Sequence, residues 1–251
     1  TEGMIAALMI GRAGSTGFPG KNVSLVLGRP LCEYPLMAAS GSTNVDRIFI
    51  STDSDQIRKI GEKYNATHIE RPAHLATSTA LSDDVFVHAF GVIKETLAAE
   101  GQQLDFLVLL FANAATIKSE FIDQGIEMLR NDPKMDGAAT TSIYNMYSPL
   151  RARKMGADGY LKPFVPFEAI GDPSTFNTSR DSQGDVYYTD GSTIVIRPRS
   201  LENISDGLLP HKWMGQHIGS IPNWGGCDVD YEWQVPIVEF WLKAHGFSEG
   251  S

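Results

Sequence analysis

Arg12 and Lys21 stand inside a glycine-rich run, Gly11-Arg12-Ala13-Gly14-Ser15-Thr16-Gly17-Phe18-Pro19-Gly20-Lys21-Asn22. Glycines let backbone N–H groups approach a ligand closely. A guanidinium and an ammonium can both meet phosphate oxygens. The run follows an apolar, strand-like segment, 4–10, which would deliver it to the edge of a sheet. Strand, flexible loop and two cations together read as a grip for a nucleotide triphosphate. The competing reading is a surface turn with two solvated cations. The run is neither of the common phosphate motifs. A P-loop needs G-x-x-x-x-G-K-[ST], whereas here position 15 is Ser and Gly20-Lys21 is followed by Asn22. The spacing of Gly11, Gly14, Gly17 and Gly20 does not make G-x-G-x-x-G.

A second constellation lies near the other end, at Asp228-Val229-Asp230. On an extended segment, carboxylates at i and i+2 point to the same side. That suits Mg²⁺, which takes one or two carboxylates plus phosphate oxygens. Asp230 can instead cap the helix that follows, and Glu232 is a weaker third carboxylate. Arg71, between Glu70 and Pro72, reads as a surface ion pair with Glu70 or Asp83. Asp53 follows a strand and reads as a helix cap. The six histidines, His68, His74, His88, His211, His217 and His245, show no metal-ligand spacing. No G-x-S-x-G elbow is present, so serine hydrolysis has no support.

The elements that must position these residues alternate in type. Strand patterns fall at 4–10, 47–51, 106–111, 137–142 and 192–196, and helix patterns at 31–40, 54–64, 82–98, 119–130 and 231–244. That alternation predicts a mostly parallel sheet with helices on both faces. Asp53 or Ser54 is expected to cap the second helix and Ser82 the third. On the last helix Trp233, Ile237, Phe240 and Trp241 form a stripe expected to be core or dimer surface. Pro236 is expected to bend that helix or to sit near its first turn. The stretch 144–188 breaks the alternation, with four prolines, several aromatics and no clear helix. A chain of 251 residues suits a single domain, 1–251.

The formal net charge of −9 argues against a nucleic-acid partner, which would want a basic face. No apolar run approaches a membrane span, and the N-terminus lacks the pattern of a secretory signal. The two cysteines, Cys32 and Cys227, have no metal spacing and are expected to be reduced thiols of a cytoplasmic protein, with a disulfide between them left open. Thr1, Glu2 and Gly3 receive no role.

The glycine-rich run resembles the signature loop of the acylneuraminate cytidylyltransferases, which make CMP-activated nonulosonic acids. Their pattern is about A-R-x-x-S-x-G-x-P-x-K-N. Arg12, Ser15, Gly17, Pro19, Lys21 and Asn22 match it, with Gly11 in place of Ala. The likeness continues in order at Ser51-Thr52-Asp53, Glu70-Arg71-Pro72-Ala73-His74-Leu75-Ala76, Thr79-Ala80-Leu81-Ser82, Asp190-Gly191 and Asp228-Val229-Asp230. It implies a three-layer α/β/α Rossmann-like nucleotidyltransferase fold, with a small β-rich insert at 144–188 for dimerisation and part of the sugar pocket. It implies CTP and a sugar acid as substrates, Mg²⁺ as cofactor and a homodimer. Arg12 and Lys21 would be catalytic. Gly11, Arg12, Ser15, Lys21, Asn22, Arg71, Ala80 and Ser82 would bind the nucleotide, and Asp228 and Asp230 the metal.

The acceptor side departs from the family. A Q-P-T-S-P-L-R-type stretch is usual after the strand at 106–111. Here it reads Phe111-Ala112-Asn113-Ala114-Ala115-Thr116-Ile117-Lys118. Asp190 replaces an Asn, and Tyr188 stands where Arg is common. Asn113, Arg180, Gln183 and Asp190 are the expected acceptor contacts. The nucleotide half thus matches the family and the acceptor half does not, so the resemblance does not carry sialic acid itself. The leading reading is a CTP-using transferase acting on a nonulosonic or related 2-keto-3-deoxy sugar acid. The alternatives are a sugar-1-phosphate cytidylyl- or guanylyltransferase and a non-catalytic nucleotide-binding protein of glycan biosynthesis.

Overall fold

The computed structural model describes residues 3–250; Thr1, Glu2 and Ser251, at the ends of the expected single domain, lie outside the described residues. The strands are β1 (Met4–Ile10), β2 (Leu25–Val26), β3 (Arg29–Pro30), β4 (Arg47–Thr52), β5 (Thr67–Glu70), β6 (Leu104–Phe111), β7 (Gly137–Ile143), β8 (Arg153–Met155), β9 (Leu161–Pro163), β10 (Tyr187–Ile196) and β11 (Ile218–Pro222). The α-helices are α1 (Glu33–Gly41), α2 (Asp55–Glu62), α3 (Ser82–Ala99), α4 (Ser119–Asn131), α5 (Phe167–Ile170), α6 (Arg199–Glu202) and α7 (Val235–Ala244).

Seven strands form one sheet in the order β11-β7-β10-β6-β1-β4-β5. All pair parallel except β10, which runs antiparallel between β6 and β7. Alternation along β1 explains the layers. Ala6, Leu8 and Ile10 join a core with Phe86, Phe90 and Ile93 of α3. Ile5, Ala7 and Met9 join one with residues of α1, α2 and α4 on the other face. Successive strand side chains point to opposite faces, so a strand buried on both sides must be apolar throughout. That is the composition of β1 and β6. The expected three-layer α/β/α architecture is the observed one.

β1 neighbours β4 on one side and β6 on the other. The chain therefore reverses its winding direction at β1. In open α/β sheets a crevice forms at such a point, outside the carboxyl ends of the strands. The segments after β1, β5 and β6 all line it.

Several local expectations need correction. Ser54, not Asp53, caps α2; its hydroxyl accepts the Ile57 N–H at 3.2 Å. Ser82 is the first residue of α3 rather than its cap, which falls at Leu81 with no side-chain bond. The last helix starts later than expected: Glu232–Gln234 form a 3₁₀ turn and α7 begins at Val235, with Pro236 in its first turn. Pro lacks an N–H that the first turn does not need, so it fits there without a kink. Of the aromatic stripe, Trp241 is core, while Trp233, Ile237 and Phe240 are exposed. Within 144–188 the β structure is the short hairpin β8–β9 and the first two residues of β10, with α5 and 3₁₀ turns between them. Both cysteines are free thiols.

Candidate active site

The glycine-rich loop leaves β1 at Gly11, whose N–H donates to the Ser51 carbonyl of β4 at 3.3 Å. A Cβ at position 11 would lie 2.5 Å from the Cβ of Ala112, at the end of β6. That contact explains why this chain departs from the family's Ala: with Ala112 opposite, only glycine fits. Two side chains then fix the loop. Asn22 is buried and its Nδ2 donates to the Arg12 carbonyl at 3.1 Å. Asp53 Oδ1 accepts the Ala13 N–H at 2.8 Å. Asp53 thus anchors the loop rather than a helix. Gly20 takes φ of 69°, a left-handed conformation that favours glycine, just before Lys21.

Arg71 is not a surface residue: it is 6% exposed and donates to the Ser51 carbonyl at 3.1 Å. Its ion-pair reading with Glu70 or Asp83 is replaced by this placement. Burial lowers its pKa, an effect offset by Asp53 and reinforced by the Arg12 charge. Its Nε and the Asn22 Oδ1 are buried without hydrogen-bond partners among the described residues. Such groups cost about 1–3 kcal/mol when left unsatisfied.

Arg12, Lys21 and Arg71 line one cleft together with Gly11, Gly14, Asn22, Ala80, Ser82 and Asn113. Three cations thus converge in a chain of net charge −9. Ser15 stays outside that lining; its hydroxyl accepts the Phe18 N–H at 3.4 Å and turns the loop.

Asp228 and Asp230 reach the same region by pairing with the end of β6. The Val229 N–H donates to the Asn113 carbonyl at 2.9 Å, and Asn113 Nδ2 returns to the Val229 carbonyl at 3.0 Å. The same Nδ2 lies 3.4 Å from one oxygen of each aspartate. Both carboxylates therefore face one point, as the i, i+2 spacing predicts. Lys21 Nζ approaches Asp230 Oδ1 at 3.2 Å. Asp230 does not cap the following turn; Gln234 Oε1 instead accepts the N–H groups of Asp230 and Tyr231. Although Asp228 keeps accessible surface, desolvation within the cleft raises its pKa and the Asp230 charge raises it further. Lys21 and Asn113 oppose that rise. Two hard carboxylates beside a phosphate-sized cleft fit Mg²⁺, whose remaining ligands are ordinarily phosphate oxygens and water. Among the described residues no group of three or more His, Cys, Asp or Glu side chains could hold a metal by itself.

A second cleft adjoins the first and shares Ser82 and Phe111 with it. Its walls include Asp228, Asp190, Gly191, His211 and Trp213. Asp190 is 7% exposed and already fully engaged. It accepts from Thr140, Ser142, Asn223 and the Ser192 N–H. This carboxylate holds β10 to β7 across the register shift between Thr189 and Ile194. Arg180 and Gln183 line neither cleft. Arg180 is exposed beside Asp181 at 4.0 Å, and Gln183 accepts from Ser148 at 2.7 Å. Lys118 sits at the start of α4 with its ammonium over the Phe121 ring. His211 and Trp213 were invisible to motif reading, because they sit in a loop whose spacing matches no chemical pattern.

A cation-lined crevice at the winding reversal of a parallel sheet, with paired carboxylates on its rim, defines a nucleotide-binding α/β protein. The cytidylyltransferase family profile matches residues 6–218, and the chain belongs to that family. It is 40% identical over 219 residues to the CMP-N,N'-diacetyllegionaminic acid synthase of Legionella pneumophila, covering 81% of this chain and 89% of that one. It is 24% identical to the N-acylneuraminate cytidylyltransferase of Oncorhynchus mykiss, covering 97% of this chain but 51% of that longer one. Matches to two further curated relatives span 21% and 56% of their lengths. The fold is shared with a CMP:2-keto-3-deoxy-manno-octonic acid synthetase solved with CTP, at a TM-score of 0.62 and 14% identity, over 96% of this chain and 99% of that one.

Proposed function

We propose that this chain transfers a cytidylyl group from CTP to the anomeric hydroxyl of a nonulosonic or related 2-keto-3-deoxy sugar acid. The acceptor oxygen forms a bond to the α-phosphorus, the bond from that phosphorus to the bridging oxygen breaks, and pyrophosphate leaves. The acceptor hydroxyl loses its proton. The observation that carries this reading is the convergence of Arg12, Lys21 and Arg71 with Asp228 and Asp230 around Asn113. The similarity to nonulosonic acid cytidylyltransferases supports the substrate class.

Charge develops on the transferring phosphate and on the leaving group, so fixed cations there lower the barrier. Arg12 and Lys21 serve as those cations, and Arg71, in the lining of the same cleft, holds the nucleotide. Gly11, Asn22, Ala80 and Ser82 shape the nucleotide cleft, while Ser15 acts on the loop's conformation. Asn113 orients the two carboxylates. Asp228 and Asp230 would hold Mg²⁺, which when bound neutralises phosphate charge. Asp190 shapes the acceptor cleft through its own hydrogen bonds. Arg180 and Gln183 would need to reach the acceptor from outside both clefts.

CTP with Mg²⁺ should raise the melting temperature, because a ligand that binds only the folded state stabilises it by mass action. At a hundred times Kd the gain is about 2.7 kcal/mol. A shift with GTP and none with CTP would reject the cytidylyl assignment.

The same reading includes a cytoplasmic homodimer formed through 144–188. Met146, Tyr147, Met155, Tyr160, Leu161 and Phe164 are all exposed in that segment. Apolar surface of this kind marks an association site. Light scattering at micromolar concentration should give twice the chain mass; a monomer there removes the dimer from the account. No helix among the described residues is long and apolar enough to cross a membrane.

A further inference from the structure

The cleft beside the nucleotide site has an unusual charge balance for a pocket that takes a sugar acid. Among its lining residues are two carboxylates, Asp190 and Asp228, and no lysine or arginine. The three cations line the neighbouring cleft, where the transferase reading puts the triphosphate. One part of the second cleft's wall is apolar, formed by Phe111, Ile194, Trp213 and Met214. An ionised carboxylate entering such a place loses water and needs a donor in return. Asp190 can only accept, and its lone pairs are already taken by four donors.

Beside the hydroxyls of Ser82 and Thr189, the side-chain donor this cleft offers is His211. It lines this cleft, and among the described residues its side chain has a ring contact but no hydrogen bond within the chain. Its imidazole packs on Trp213, with ring centroids 5.1 Å apart. Trp213 is in turn wedged between Phe86 and Phe111, at 5.3 and 6.2 Å. The ring is therefore held by tilted and edge-on ring contacts that continue into the core under α3, while its nitrogens remain open to a ligand. A side chain ordered before the ligand arrives loses little entropy on binding it.

We propose that His211 is the acceptor-recognition residue: it donates a ring N–H to the carboxylate of the sugar acid. The inference rests on the cytidylyl-transfer reading above. A neutral imidazole has one N–H and one acceptor nitrogen, so the bond requires no change of charge. Asp83 and Asp228 both act electrostatically on the ring, and burial opposes its protonation.

Two substitutions with opposite losses test this role. His211→Phe keeps a ring against Trp213 and removes both nitrogens. His211→Gln loses the ring and keeps an N–H donor. Pyrophosphate release is followed with CTP and the sugar acid that supports turnover in the unaltered protein. His211→Phe should raise KM for that acid by about tenfold or more, the loss expected when a charged hydrogen bond is removed, with KM for CTP unchanged within a factor of three. His211→Gln should recover most of the loss. The methyl ester of the same acid should bind the unaltered protein more weakly by a similar factor. His211→Phe should discriminate little between acid and ester, because the two changes remove one interaction. If His211→Phe keeps a normal acceptor KM, or if His211→Gln is the worse variant, the ring serves packing alone and the proposal is overturned. If the unaltered protein releases no pyrophosphate with any sugar acid, it is the transferase reading that fails, a different result.

Discussion

Asp228→Asn and Asp230→Asn should each lower turnover by about two to three orders of magnitude, the range found when a group aimed at transition-state charge is lost. The fold should survive both changes. An amide keeps the shape of a carboxylate but not its charge, and Mg²⁺ needs that charge. The two variants should differ in one respect. Asp230 also pairs with Lys21 at 3.2 Å, so its loss frees that ammonium. Among the described residues Asp228 makes no ion pair of that length, and Asn113 and the Lys21 charge act on it instead. Had Asp230 been a helix cap, Asn would cap about as well as Asp and leave activity intact. The bonds from Gln234 to the turn exclude that role. Rates measured across a Mg²⁺ titration check the prediction. A normal rate with normal Mg²⁺ dependence in either variant would take that aspartate out of the site.

Lys21→Ala should cut kcat/KM by more than tenfold, and by about a hundredfold if Lys21 acts directly on the developing charge. Its effect on stability should be small, because the pair with Asp230 is partly solvent-exposed and such pairs contribute about 0–1 kcal/mol. A double variant with Asp230→Asn gives a sharper reading. If Lys21 served only to neutralise Asp230, the two losses together would be no larger than one alone. If each meets the substrate, the double variant should be slower than either. Steady-state pyrophosphate release on the four proteins decides.

How much of this was legible in the residues depended on the kind of signal. The apolar runs of β1 and β6 are continuous because both faces are buried, and they gave the sheet its place without ambiguity. The glycine-rich loop and the i, i+2 aspartates are local patterns whose geometry follows from the backbone, and they meet in space as expected. β10 was less readable. Direction leaves no trace in a strand's composition, so the one antiparallel strand looked like the rest. Strands β5 and β11 are short and partly open, with too little periodicity to detect.

The acceptor side was hidden for a different reason. His211 and Trp213 reach their cleft through a loop held by ring contacts with α3 and β6. Tertiary contacts of that kind have no sequence spacing. Arg71 shows the same limit: a cation flanked by Glu70 and Pro72 looks solvated until β4 supplies the Ser51 carbonyl. Ser82 and Asp53 each looked like caps because both types favour that position. The fold used Leu81 and Ser54 there, which left Ser82 in the cleft lining and Asp53 to hold the loop.

The most direct test of the account is product identity. The protein is incubated with CTP, Mg²⁺ and a panel of 2-keto-3-deoxy sugar acids, and the mixture is followed by ³¹P NMR and mass spectrometry. The account predicts pyrophosphate and a CMP-sugar in equal amounts, with one phosphorus joined to the acceptor's anomeric oxygen. Pyrophosphate absent with every sugar acid, while a sugar 1-phosphate is converted to a nucleoside diphosphate sugar, would contradict it.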